Sequence, residues 1–131
     1  MLFPAAVMVL MVLAAIAVDL TSVHLARREV YRSASQAADD AAAMVDQHSL
    51  RAGDLHTIDL AAARRLVRAE LALAGLPGPI VDGPRVELGP RPGTVAVHVA
   101  VSVDHFFAKA LPGAASTERI TVDVVGEILE N

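Results

Sequence analysis

The stretch MLFPAAVMVLMVLAAIAV, residues 1–18, decides the fold that we expect, because none of its side chains is polar. As an α-helix these eighteen residues would be about 27 Å long, close to the ~30 Å hydrocarbon core of a bilayer. Pro4 falls in the first turn, where its missing backbone N–H costs little and does not break the helix. Leu20 and Val23 extend the apolar character, so the sequence predicts a transmembrane anchor over residues 1–23.

Two other interpretations of this apolar stretch stay open. Ala15-Ile16-Ala17 offers the small-x-small pattern of a signal-peptide cleavage site, although no basic residue precedes the apolar run. A helix buried in a soluble core is the other alternative, but a small domain has little material to cover a helix that is apolar on every face. The length and purity of the stretch favour the membrane anchor.

Asp19 is the first charged residue, and it stands directly at the end of the apolar run. A carboxylate within a membrane is costly unless it is paired or lies at the interface. We therefore expect Asp19 to mark the lipid–water boundary and to fix the depth of the anchor. A more specific role for this carboxylate is the alternative.

Residues 24–48 predict a soluble continuation of the anchor helix. No Pro or Gly occurs between Leu20 and His48, and residues that favour helices are frequent there. One narrow apolar stripe, mostly alanine in its middle, recurs at spacings of three and four: Val23, Ala26, Val30, Ala34, Ala37, Ala41, Met44 and His48.

Ala34, Ala38 and Ala42 form a candidate helix-packing interface beside this stripe. Their spacing of four aligns them along one side of the helix, and small residues let another element approach closely. That element is either another subunit or the protein's own sheet, and the sequence leaves both open.

Residues 49–131 predict a small α+β domain. Gly53 lies in a connection, and a second helix follows over residues 59–74, with Thr57 or Asp59 as its N-cap and Gly75 as its C-terminal stop. The apolar face of this helix comprises Leu60, Ala63, Val67, Leu71 and Ala74. Its other side is basic and typical of a solvated face, with a role at anionic lipid or an acidic partner as the alternative: Arg64, Arg65 and Arg68.

After a rigid Pro- and Gly-rich loop over residues 76–84, the apolar period changes to two. Strands are predicted at residues 85–88, 94–104 and 118–129, and the first two form a hairpin around residues 91–93. The middle strand alternates most strictly, with one face made of Val95, Val97, Val99, Val101 and Val103. The last strand places Ile120, Val122, Val124 and Ile128 on one face. We expect a three-stranded antiparallel sheet covered by the two helices, and hence the α+β class.

Composition and spacing exclude several kinds of chemistry. The chain has no Cys, and a net charge of −4 with 3% aromatic residues gives no footprint for nucleic acid. No two of the five His residues have the i, i+4 spacing of a helical zinc site, and no phosphate-binding Gly loop occurs. We therefore expect no catalytic residues, no metal and no cofactor, and interpret the protein as a structural component rather than an enzyme.

The motif AIAVDL (Ala15–Leu20), followed by a charged helix with SQAADDAAAMV (Ser35–Val45), resembles the TadE/TadG-like pseudopilins of tight-adherence (Flp, type IVc) pili. Those proteins run from a hydrophobic segment into a helix with an Ala-rich patch. FFAKALPG (Phe106–Gly113) between two Val-rich strands is similar to the actinobacterial branch of that family.

The resemblance implies a minor pilin-like subunit of a pilus or secretion assembly, held as a single-pass protein of the cell membrane. Its partners would be the lipid bilayer and other membrane subunits of that assembly, with self-association through the N-terminal helix. A secreted or membrane-tethered binding module, whose N-terminus is only a signal or an anchor, is the alternative from a different class.

The charge pattern and the family resemblance predict opposite orientations of the chain in the membrane. The basic residues nearest the anchor, Arg27, Arg28 and Arg32, follow it, and the positive-inside rule would keep the following domain in the cytoplasm. Members of the family carry a short basic leader before the apolar segment, and such a leader would place the domain outside. We adopt the extracytoplasmic orientation that the resemblance implies.

Overall fold

The computed structural model describes residues 2–54 and 57–128. Met1 of the apolar run, His56 of the connection and the expected strand end at Leu129 lie outside these ranges. In chain order the elements are α1 (Leu2–Ala42), α2 (Gln47–Arg51), α3 (Leu60–Leu73), β1 (Ile80–Leu88), β2 (Thr94–Asp104), a 3₁₀ turn (Ala108–Ala110) and β3 (Thr117–Glu127).

The three strands form one antiparallel sheet in the order β1-β2-β3, and the helices cover one of its faces. The C-terminal half of α1 lies over β2 and β3, whereas α3 packs against β1 and against α1. The architecture is thus α+β, as the change of apolar period from 3.6 to 2 predicts.

A single helix of 41 residues, about 60 Å long, dominates the molecule. Its buried side chains begin only at Asp19 and then recur on one face as far as Ala42. The half before Asp19 projects from the domain with its apolar side chains exposed. Among the described residues, α1 is the helix long and apolar enough to cross a membrane.

The end of α1 differs from the expected helix over residues 24–48, because the helix stops at Ala42. Beyond it the Met44 N–H donates to the Ala41 carbonyl at 3.1 Å, and the chain then forms an isolated antiparallel bridge between Val45 and Ile58. Asp46 begins α2 by accepting a hydrogen bond from the Ser49 N–H at 3.0 Å. Favourable helix propensity in this segment is overridden by pairing with a strand-like segment that lies far along the chain.

The second predicted helix is α3, and its signals are confirmed. Asp59 is the N-cap and accepts a hydrogen bond from the Ala62 N–H at 3.0 Å, while Gly75 follows the helix with a φ of 63°. Ala63, Val67 and Leu71 are buried, as expected. The prediction was wrong for Ala74, which is exposed because the apolar stripe has turned away from the core at the end of the helix.

Strand β1 begins at Ile80, five residues earlier than the predicted strand at residues 85–88. Its register with β2 shifts between Ile80 and Asp82 and again between Asp82 and Arg85, so Gly83 and Pro84 are accommodated at an irregularity. Gly83 has a φ of 86°, and a side chain there would collide with the His98 carbonyl. The sequence rule that Pro interrupts a strand fails here because β1 is an edge strand.

The pairing of β2 with β3 confirms the alternating face of the sheet. Val97 lies opposite Val124, Val99 opposite Val122 and Val101 opposite Ile120. The inner face of the sheet forms the side of the core that α1 and α3 cover. Its buried side chains on β2 and β3 are Val95, Val97, Val99, Val101, Val103, Ile120, Val122 and Val124.

The far end of this inner face departs from the expectation for Ile128, which lies beyond β3 and is exposed. Gly126 takes the last inward position instead, and a Cβ there would clash with the backbone of Ala38. The strand and α1 converge at this point, so only a residue without a side chain fits between them.

Candidate functional site

The candidate site is the end of the domain from which the exposed half of α1 projects, next to the loop that follows β2. Residues 2–18 turn bulky apolar side chains outward on every side of the helix. A soluble protein rarely exposes so large an apolar surface, and such a surface indicates contact with lipid or with another protein. The buried residue Asp19 ends this exposed half.

Asp19 fastens the loop after β2 to the helix. Its carboxylate accepts hydrogen bonds from the backbone N–H groups of Phe106 at 2.9 Å, Phe107 at 3.0 Å and Ala108 at 2.9 Å. These N–H groups precede and begin the 3₁₀ turn, so they have no partner within it. A carboxylate that accepts several backbone hydrogen bonds is strongly held, and Asp19 therefore fixes the position of the loop.

The sequence predicts Asp19 at the lipid–water boundary and does not reveal this contact. Its partners lie 87 to 89 residues away in the chain, and backbone N–H groups leave no trace in the pattern of side chains. The available signal was a lone carboxylate beside an apolar run, which needs a partner when it is buried. The boundary assignment stays a prediction, and the loop contact is an additional role for the same residue.

The loop that Asp19 holds carries exposed apolar side chains. Phe106 is 72% exposed, Phe107 48% and Leu111 53%. Two of the three Phe residues of the chain thus lie side by side next to the end of the apolar half of α1. Lys109 belongs to the same loop and pairs with Asp104 at 3.1 Å. We call residues 106–111 the clamp loop.

The candidate helix-packing interface made of Ala34, Ala38 and Ala42 lies inside the domain. All three side chains are completely buried and belong to the core between α1 and the sheet. The close approach that small residues permit is therefore made to β3, at Gly126. Of the two partners that the sequence leaves open for these alanines, the structure shows the protein's own sheet.

The outer face of the sheet holds a network of charged side chains. His98 contacts Asp123, and Asp82 contacts both Arg85 at 2.5 Å and Arg119 at 3.2 Å. The hydrogen bond from Arg85, reinforced by the charges of Arg85, Arg119 and His98, lowers the pKa of Asp82 below its usual value. These exposed pairs stabilise the outer face modestly and keep it polar.

A second carboxyl pair joins the two helices. Partial burial and the neighbouring charge of Asp40, with which it shares a hydrogen bond, raise the pKa of Glu70 above its ordinary value. Asp40 lies on the half of α1 that follows Asp19, and Glu70 lies on α3. When both carboxyl groups are ionised, their repulsion destabilises the contact between the two helices.

Within residues 2–54 and 57–128 no set of three or more His, Asp or Glu side chains is placed to hold a metal ion. The basic side of α3 contributes to packing, since the Arg64 Nε donates to the Val86 carbonyl at 3.2 Å. The chemistry that the described part of the chain displays is apolar contact at one end and solvated charge elsewhere.

Comparisons with protein-family models, with curated proteins and with solved structures found no match to this chain.

Proposed function

We propose that this protein is a membrane-anchored, pilin-like structural subunit of a Tad/Flp pilus or a related secretion assembly, and that it has no enzymatic activity. The observation that carries the proposal is the division of α1 into two halves. One continuous helix is exposed and bulky-apolar before Asp19 and buried and alanine-rich after it. In such a subunit the apolar half of α1 spans the bilayer. The second half of the same helix packs in the domain and holds it at the membrane surface.

The rigid junction between the halves supports an assembly role over a simple tether. A tether needs only a flexible link, whereas here the helix continues without a break from Leu2 to Ala42 into the core of the domain. Force or rotation applied to the membrane half is therefore transmitted directly to the sheet. Subunits whose apolar halves bundle together would present their domains in a fixed arrangement around that bundle.

The proposed orientation places the domain outside the cytoplasm. The resemblance to TadE/TadG-like pseudopilins supports it, and the arginines that follow the anchor argue against it. The absence of Cys makes a direct test clean, because a single introduced Cys is the only thiol in the chain. We would place it at Val125, an exposed position on β3, and label intact and lysed cells with a membrane-impermeant thiol reagent. Labelling of intact cells supports the orientation, and labelling only after lysis contradicts it.

Fractionation and cross-linking test the function itself. We expect the full chain to stay with membranes through a high-salt wash at its full mass. A Cys at Leu10 or Leu13, both exposed on the apolar half, should cross-link to other membrane subunits, whereas a Cys at Val125 should do so much less. A shortened form in the medium, lacking the apolar run, would instead establish the secreted binding module.

The genes next to this one provide an independent test. A secretion ATPase and Tad-like membrane proteins encoded alongside would support the proposed assembly. Membrane retention without cross-linking, and without such neighbours, would leave a tethered module as the better description and would overturn the assembly role.

A further inference from the structure

We infer that the clamp loop, residues 106–111, is a second membrane contact: Phe106, Phe107 and Leu111 enter the interface of the bilayer that α1 crosses. The inference rests on the membrane placement of α1 in the proposed function. It assigns to lipid a surface that belongs to the sheet domain, almost ninety residues after the anchor in sequence.

The depth of the loop follows from the Asp19 contact. Asp19 directly follows the apolar residues 2–18, and its carboxylate lies within 3.0 Å of the Phe106, Phe107 and Ala108 backbone nitrogens. When the apolar residues fill the hydrocarbon core, Asp19 stands at its edge. The backbone of the clamp loop then stands at the same edge, with no freedom to retreat while these hydrogen bonds persist.

The side chains of the loop suit that depth. Phe106, Phe107 and Leu111 are exposed within a segment of six residues, and the backbone of that segment is bonded to the residue that ends the apolar half of α1. Aromatic side chains favour the boundary between hydrocarbon and headgroups, and Lys109 has a long stem that can reach the headgroups from there.

A backbone-mediated clamp makes the arrangement robust to the identity of the loop side chains. Asp19 accepts hydrogen bonds from main-chain N–H groups, so replacing the aromatic rings leaves the clamp in place. Neither ring belongs to the core, and Phe106 is 72% and Phe107 48% exposed. Lipid contact therefore accounts for apolar side chains that folding does not require.

The test measures depth in phosphatidylcholine vesicles that contain the purified full chain and no other protein. Single Cys residues at Ala110, Leu10 and Val125 carry the same environment-sensitive fluorophore; Ala110 is exposed and leaves both Phe rings intact. We compare quenching by lipids that carry a spin label near the headgroup, by lipids labelled deep in the chain, and by aqueous iodide. We expect shallow-lipid quenching at Ala110, deep-lipid quenching at Leu10 and iodide quenching at Val125.

A substitution in the loop provides the matched comparison. Phe106→Ser with Phe107→Ser should abolish most of the shallow-lipid quenching at Ala110 and shift its emission towards that of the Val125 probe. Leu50→Ser with Leu88→Ser removes two exposed leucines at the far end of the domain and should leave the Ala110 signal unchanged. Loss of quenching in the loop variant alone supports the inference.

The outcomes separate this inference from the proposed function. If the Leu10 probe is quenched by deep lipid while Ala110 behaves like Val125, the anchor stands and the lipid contact of the loop is wrong. In that case another subunit, and not lipid, is the partner expected for the exposed rings of Phe106 and Phe107. If the Leu10 probe is not quenched by lipid at all, both the anchor and the loop contact are overturned.

Discussion

The two halves of α1 belong to one continuous helix, yet the first exposes its apolar side chains and the second buries them. Residues 2–18 expose bulky Leu, Met, Val, Ile and Phe side chains among five alanines, whereas the side chains that are buried between residues 19 and 42 are mostly Ala. Size explains the reversal. A sheet can approach a helix closely only where side chains are small. In a lipid bilayer, larger apolar side chains gain more free energy on leaving water, and they need no partner of complementary shape. Apolar content alone thus does not indicate which part of a helix forms the core of a protein.

Introducing an Asp into each region should destabilise the domain in one case and weaken membrane insertion in the other. These are the largest effects that we expect. Val99→Asp places an unpaired carboxylate under α1 in the core and should cost several kcal/mol of domain stability. Val9→Asp lies on the exposed half and should leave the domain stable, but weaken membrane insertion by about 3 kcal/mol.

Two measurements on the full chain in mild detergent and in membranes separate these variants: thermal unfolding of the sheet and retention after a high-salt wash. Ser102→Asp is the matched control for Val99→Asp, because Ser102 lies on the outer face opposite Arg119. Equal melting temperatures for Val99→Asp and Ser102→Asp would show that the inner face is assigned incorrectly.

Adding bulk should sharpen the contrast between the halves. Ala38→Leu inserts a large side chain where α1 meets β3 at Gly126, and overpacking should cost about 1–3 kcal/mol of domain stability. Ala14→Leu makes the same change on the exposed half and should leave domain unfolding unchanged.

Urea unfolding of both variants and cross-linking to membrane partners decide the question together. Lower stability with unchanged cross-linking is expected for Ala38→Leu. Intact stability with lost cross-linking would mean that Ala38 faces another subunit after all.

The boundary between the halves depends on Asp19. Asp19→Ala removes the acceptor of three backbone N–H groups and should cost about 1–2 kcal/mol, concentrated in the clamp loop. Amide hydrogen exchange should accelerate at Phe106, Phe107 and Ala108 more than elsewhere in the sheet domain.

Asp39→Ala is the matched control on the far half of α1, since Asp39 accepts one hydrogen bond, from the Glu127 N–H at 3.2 Å. Its effect should be smaller and confined to the end of β3. Equal protection of the clamp loop in the Asp19→Ala variant and the unchanged protein would refute the clamp.

The smallest effect concerns pH at the contact of the far half with α3. Because the pKa of Glu70 is raised in the folded state, the folded protein binds the proton more tightly than the unfolded chain does. This contribution to stability is present below the ordinary pKa of 4.5 and is lost as pH rises through the raised value. Glu70→Gln should therefore be more stable than the unchanged protein near neutral pH, by less than about 1 kcal/mol, because solvent still reaches this partly buried site.

The pH dependence of unfolding checks the sign. The gain of Glu70→Gln should disappear in acid, where Glu70 is protonated in both states. It should shrink but not vanish in an Asp40→Asn background, which removes the neighbouring charge and leaves the partial burial of Glu70 in place. A gain that persists in acid would trace to something other than this carboxyl pair.

Much of this fold follows from local patterns. The apolar run, the alternating valines of β2 and the capping residues Asp59 and Gly75 each act on neighbours within a few positions, so the chain displays them directly. The α+β class and the inner face of the sheet follow from these signals. The departures at the end of α1 and at its buried alanines involve residues elsewhere in the chain.

Tertiary contacts decided the rest. The end of α1 at Ala42 depends on a bridge to Ile58, and the burial of Ala34, Ala38 and Ala42 depends on β3 at the other end of the chain. Pairing, close approach and backbone hydrogen bonding join residues whose separation no sequence period encodes. The apolar run of residues 2–18, by contrast, is a local pattern, so it could be predicted as a contact surface from sequence alone. The clamp between Asp19 and the loop after β2 could be found only where the folded chain brings a carboxylate to three free N–H groups.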